Sequence, residues 1–123
     1  MAQMFTKGFK PKSTTKKAKA IIRKEMLSYF PAREYGTKTN LDAMKKDADT
    51  YPYGRGKSDW VKGKVLVNAG RLPCCYSDQS KMLSKIYGKE NVAKWDGNKI
   101  YETYSNLIGR EYAAMLRERG RRK

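Results

Sequence analysis

Three consecutive stretches, VKGKVLV (61–67), NAG (68–70) and RLPCCY (71–76), decide the fold class. In an extended chain Val65 and Val67 project to one side and Leu66 to the other, and β-branched residues favour pleated backbone. Residues 61–67 are therefore predicted as a strand. Asn68 and Gly70 tolerate positive φ, the chemistry of a tight turn. Residues 71–76 are predicted as the returning strand. Pro73 has no N–H to give to a ladder, which makes this strand an edge. A lone hairpin is marginal in water and needs helices across one face. The predicted class is α+β: a short antiparallel β-hairpin packed against three to four α-helices, with basic terminal arms.

The flanking sequence supplies those helices. Ala18, Ile22, Met26 and Tyr29 recur at spacings of four, four and three, with Ser13 or Thr14 as the cap and Pro31 as the stop. Ile21 and Leu27 widen this apolar stripe, and Lys16, Lys17, Lys19, Arg23 and Lys24 take the rest of the circumference. Thr39 and Asp42 have the spacing of a capping box, ahead of a short helix carrying Leu41, Met44 and Ala48 to about Asp49. YPYGRG (51–56) is a loop. Its Tyr51, Tyr53 and Arg55 either stack on unpaired bases or pack the loop onto its own domain. Beyond the hairpin, Ser77 or Asp78 is predicted to cap a helix with Met82, Leu83 and Ile86 inward and Gly88 as its stop. KENVAKWDGN (89–98) connects, with a helical turn around Val92 and Trp95. Asn98 then caps the longest helix, where Ile100, Tyr104, Leu107, Ile108 and Met115 form one stripe flanked by Tyr101 and Tyr112. That helix runs to Leu116 and ends near Gly120.

The chain has 123 residues, which fits one domain, and 28 Lys/Arg against 12 Asp/Glu give a formal charge of +16. Residues 1–24 carry eight basic side chains and no acidic one; residues 117–123 carry five basic and one acidic. The long middle, 25–116, has 15 basic and 11 acidic residues. This division predicts a basic extended arm at 1–12, a single domain at 13–116 and a basic tail at 117–123. Cations concentrated at both ends repel one another unless a polyanion neutralises them. Apolar runs never exceed four residues, far short of a membrane span. The first helix also lacks the bulky apolar face that inserts into a bilayer surface. No secretory signal pattern opens the sequence, and two adjacent cysteines fit a reducing cytosol.

Residues able to do chemistry are few. The sequence has no histidine, which removes the commonest general base and the commonest metal ligand. Cys74 and Cys75 alone cannot complete a tetrahedral zinc site, and as neighbours in a strand they point to opposite faces, one into the core. Asp59, Asp78, Glu102 and Glu111 are scattered; Asp78 reads as a cap and Glu111 as a partner for Arg110 or a nearby strand cation. GRG (54–56) and GKV (63–65) lack the context of a phosphate-binding loop. No catalytic residue, metal or cofactor is expected.

GKVLVNAGRLPCCYSDQ (63–79), with SDW (58–60) before it and LIGRE (107–111) after it, resembles small proteins encoded by phages and mobile elements of gut bacteria. In those proteins a hydrophobic hairpin runs into an Asp-started helix, and a later helix carries a Leu-Val/Ile-small-Arg-Glu segment. The matching positions are Gly63, Lys64, Leu66, Val67, Gly70, Tyr76, Asp78, Gln79, Leu107, Ile108, Arg110 and Glu111. Pro73 and the cysteine pair depart from the usual aliphatic and aromatic second strand. The resemblance implies a mobile-element setting, in which small proteins often act on host nucleic-acid machinery, CRISPR–Cas nucleases included.

These observations predict a non-enzymatic, cytoplasmic protein of the bacterial host cell that binds nucleic acid, or a host enzyme that handles it. The expected contacts are Lys16, Lys17, Lys19, Arg23 and Lys24 on the first helix, Arg55 in the loop, and Arg117, Arg119, Arg121, Arg122 and Lys123 at the C-terminus. Contacts of this kind grip phosphate and carry little sequence information. The alternative is a structural RNA-binding component of a ribonucleoprotein, such as a small ribosomal protein.

Overall fold

The computed structural model describes residues 16–51, 59–73 and 75–121. They form helices α1 (Lys16–Ser28), α2 (Ala32–Tyr35), α3 (Asn40–Thr50), α4 (Asp59–Asn68), α5 (Tyr76–Tyr87), α6 (Lys89–Val92) and α7 (Gly97–Arg121). There is no strand among the described residues. The predicted α+β class and its hairpin are wrong: the fold is all-helical.

The hairpin fails at its first strand. Residues 61–67 lie inside α4, and Gly63, Val65, Leu66 and Val67 are all buried. A helix enclosed on several sides has no polar stripe, so it reads as an apolar run that local pattern cannot tell from a strand. The NAG segment is the end of that helix. Ala69 N–H donates to the Val65 carbonyl (2.9 Å), and Gly70, at φ +100°, takes the left-handed turn that closes many helices. In place of the second strand, residues 71–73 are a loop and Tyr76 already opens α5. Leu72 is buried in that loop, and the Pro73 carbonyl accepts a 2.8 Å bond from Gln79 Nε2.

Helix α7 is about 37 Å long at 1.5 Å per residue and forms the spine. Helix α4 runs antiparallel along it: Asn68 faces Tyr101, Lys64 pairs with Glu102 (3.0 Å), and Gly63 meets Ser105 and Gly109. A Cβ at Gly63 would collide with the Ser105 carbonyl and lie 3.0 Å from the Gly109 nitrogen. The two backbones therefore touch. On α7, Ser105, Gly109 and Ala113 are spaced by four and all buried, so one face of the spine is made of small residues. Helices α1 and α5 pack on other parts of α7, and α3 closes over α1 and α4. Ile22, Met26, Phe30, Met44, Leu66, Leu72, Met82, Leu83, Tyr104 and Ile108 are fully buried where these helices meet. Truncating any of the large aliphatic ones costs about 2–5 kcal/mol.

The predicted helices outside the hairpin are present, with corrected ends. Thr39 caps α3, its side chain accepting from Asp42 N–H at 3.0 Å. Helix α5 begins at Tyr76, behind Cys75, so neither Ser77 nor Asp78 is its cap; Gly88 at φ +95° ends it as predicted. Asp96, not Asn98, caps α7: its Oδ1 accepts from Lys99 N–H at 2.8 Å. The predicted arm (1–12) and caps Ser13 and Thr14, together with Tyr53, Arg55 and Cys74, lie outside the described residues. Cys75 is exposed at the start of α5 rather than alternating in a strand. No described helix is long and apolar enough to cross a membrane.

Gly63→Ala should force α4 off α7 and lower stability by about 2–3 kcal/mol, at the upper end of overpacking costs. The drop is read from the urea midpoint, and Gly70→Ala, which adds only strain at positive φ, should cost less. Equal stability of Gly63→Ala and wild type would contradict the backbone contact.

Candidate nucleic-acid interface

The nominated cations fall into two groups once the helices are placed. Arg23 projects from α1 to α7. Its Nε donates to Glu111 Oε1 at 2.8 Å, while Nη1 and Nη2 grip Glu118 at 3.0 and 2.9 Å. Glu111 is 4 % exposed, and Arg23 is its ion-pair partner, not Arg110 and not a strand cation. The bond to Glu118 is the largest influence holding the Arg23 pKa above its ordinary value, against the opposing effect of burial. Arg119 is likewise occupied. Its Nη1 donates to Asp42 Oδ1 at 2.6 Å and its Nη2 to Thr39 Oγ1 at 3.3 Å, joining the end of α7 to the cap of α3. These two arginines hold the fold together.

The second group is exposed. Lys16, Lys17, Lys19 and Lys24 on α1 and Arg117 on α7 all face solvent, with no ion-pair partner among the described residues. Lys17 and Lys24 are seven residues apart, hence on one face of α1, opposite the buried Ala18, Ile22 and Met26. Arg121 closes α7; Arg55, Arg122 and Lys123 lie outside the described residues.

The packing of α1 brings its basic first turn to the end of α7. Glu25, late in α1, and Tyr29, just past its end, lie close enough to Tyr104 to raise its pKa, after the larger effect of burial. Earlier in α1, Arg23 lies against Glu111 and Glu118. The helices are therefore antiparallel, and at 1.5 Å per residue the first turn of α1 lies beside the last turn of α7. Helix ends separated by almost the whole sequence share one end of the bundle. The predicted tail at 117 is not a separate segment in the described residues, because α7 continues through it to Arg121.

Sequence reasoning missed a second feature. A groove of about 840 Å³ opens between α1, α5, α6 and the first turn of α7, lined in part by Tyr29, Lys81, Lys85, Lys89 and Trp95. Its signal was present as the polar face of α5, where Ser77, Ser80, Lys81, Ser84 and Lys85 recur at spacings of three and four. No group of three or more acidic or cysteine residues suited to a metal occurs among the described residues. Comparison with family models, with curated proteins and with solved structures finds no match.

Arg23→Ala strands the buried Glu111 carboxylate and should cost about 2–3 kcal/mol; Lys24→Ala, one residue on, should cost nearly nothing. Thermal melts of the two variants compare them directly. Asp42 titrates below the ordinary carboxylate range, chiefly through its bond to Arg119 and then through Thr39. A lowered folded-state pKa adds stability above the ordinary value, and that stability is lost as pH falls through the folded value. Asp42→Asn should therefore be less stable than wild type at neutral pH, and the gap should close in acid. A gap independent of pH would show that the pair contributes nothing electrostatic.

Proposed function

We propose that this chain is a non-enzymatic accessory protein of a phage or mobile element that binds nucleic acid through the basic end of its helical bundle. The observation that carries this reading is the antiparallel packing of α1 on α7, which sets Lys16, Lys17 and Lys19 at the same end as Arg117, with Lys24 two turns further along α1. Arg121 follows on α7, and Arg122 and Lys123 follow it in the chain. Like charges gathered at one end raise the local potential and attract a polyanion, and each phosphate they neutralise releases counterions. The exposed groups are mostly lysines. A lysine is a point charge that suits phosphate, whereas reading a base edge calls for the planar fork of an arginine or amide. Binding is therefore strong in low salt and nearly blind to sequence.

The resemblance to phage and mobile-element proteins supports a role against host defence, with a CRISPR–Cas nuclease as the kind of target. A nucleic-acid-accepting channel on such an enzyme is itself built to hold a polyanion. A protein using its basic end would then compete at the phosphates rather than at the channel wall.

Replacing Lys16, Lys17, Lys19, Lys24 and Arg117 together by glutamine should flatten the dependence of log affinity on log salt. Each phosphate contact contributes about 0.7 to 0.9 to that slope, so a loss of about four units is expected when all five contact phosphate. Fluorescence anisotropy with labelled duplex and single-stranded oligonucleotides reads it. An unchanged slope, or wild-type binding that ignores salt, overturns the proposal. Stable co-sedimentation with ribosomes would place the chain in a ribonucleoprotein instead.

A further inference from the structure

We infer that the groove between α1, α5, α6 and the first turn of α7 receives an unpaired nucleotide, its phosphate on Lys85 and Lys89 and its base against Trp95. This rests on the nucleic-acid reading above and adds a preference for single strands. The groove has two chemically different sides. Val92, Ala93 and Ile100 give it an apolar floor; α5 gives it a wall of hydroxyls, the Lys81 and Lys85 ammonium groups and the Asp78 carboxylate, and Glu25 enters from α1. A flat apolar ring joined to an anion matches both sides at once. Its volume, about 840 Å³, lies within the range of sites that enclose small ligands.

The cations in the groove are available. Lys85 is exposed and stands 4.0 Å from the half-buried Glu25, and Lys81 stands 3.6 Å from Asp78, both of them exposed; the two pairs are long. Pairs of that kind contribute little, so a phosphate can take the lysine from the carboxylate. Lys89 has no ion-pair partner among the described residues. The Lys99 ammonium lies over the Trp95 ring, 4.8 Å from its centre, so a base that stacks on that face displaces the lysine toward the phosphate. Trp95 is braced from within by Tyr87, ring centres 5.3 Å apart and tilted by 55°. Tyr29 borders the groove just past the end of α1. A base inside a duplex has both faces covered by its neighbours, so only an unpaired base presents a face to such rings.

The test uses the full chain with a labelled single-stranded 12-mer and a labelled hairpin duplex of equal charge. Lys85→Gln with Lys89→Gln should weaken single-strand binding about tenfold and duplex binding less than twofold. Trp95→Phe, which keeps a ring, should retain the single-strand preference, and Trp95→Leu should lose it, read at a temperature where circular dichroism shows the variant still folded. Should Trp95→Leu fail to fold, the lysine pair decides alone. Equal weakening of both ligands by the lysine pair, or of neither, overturns the groove. Lys17→Gln, Lys24→Gln and Arg117→Gln together separate the two proposals. They should weaken both ligands alike; no effect from them, beside a single-strand loss from the groove variant, refutes the basic end and leaves the groove standing.

Discussion

Everything in this fold is arranged around the place where α4 lies directly on α7. Gly63 has no room for a β-carbon, because the Ser105 carbonyl and Gly109 nitrogen already fill that space. Close packing there permits Val65, Leu66 and Val67 to be buried together on the flanks of one short helix. It also lets the 25-residue spine carry neighbours on its other sides. Helix α3 closes over α4, and α1 and α5 take the remaining faces of α7. A side chain at position 63 would push the two axes apart and open the layer shared by every other element, since interiors packed to this density do not absorb an extra methyl group.

The second constraint is electrostatic and explains why a chain with such an excess of positive charge still closes. Its two ends would repel if packed without compensation. Arg23 answers with two carboxylates of α7, and Arg119 with Asp42 at the cap of α3. Arginine suits these roles because its planar fork meets a carboxylate at two points, as Arg23 does on Glu118. The lysines of α1 are left outside. On α1, residue type thus separates Arg23, which binds the molecule to itself, from the lysines, which face outward.

How far the sequence could be read follows from how each element is covered. Helices α1, α3, α5 and α7 each keep one face in water, so their apolar residues recur at helical spacing and their existence was legible. Thr39 was legible as a cap because its partner sits three residues on. Helix α4 was not, because burial on several sides erases the polar stripe that distinguishes helix from strand. Its β-branched residues and the turn-forming Asn68 and Gly70 then pointed to the wrong structure. A positive-φ glycine closes a helix as readily as it turns a hairpin, and only the tertiary contact decides between them. The resemblance to phage proteins carried the same hairpin expectation, and that hairpin is absent at the same residues. Among the nominated cations, exposure was legible for the lysines. The internal role of Arg23 and Arg119 was not, since their partners lie 77 to 95 positions away in sequence.

The joining of the two ends has a consequence for how such a surface works. Arg23 reaches from one turn of α1 to two carboxylates a full two turns apart on α7, and so fixes α1 in register along the spine. Were α1 free to slide, the lysines at its start would spread away from Arg117 and the local field would weaken with distance over about a Debye length, some 8 Å at physiological salt. The buried pair therefore sets the spacing of the exposed charges without touching any partner. A bundle that holds its cations at fixed spacing loses less freedom on meeting a polyanion than two separate basic tails would, because their ordering was completed when the chain folded.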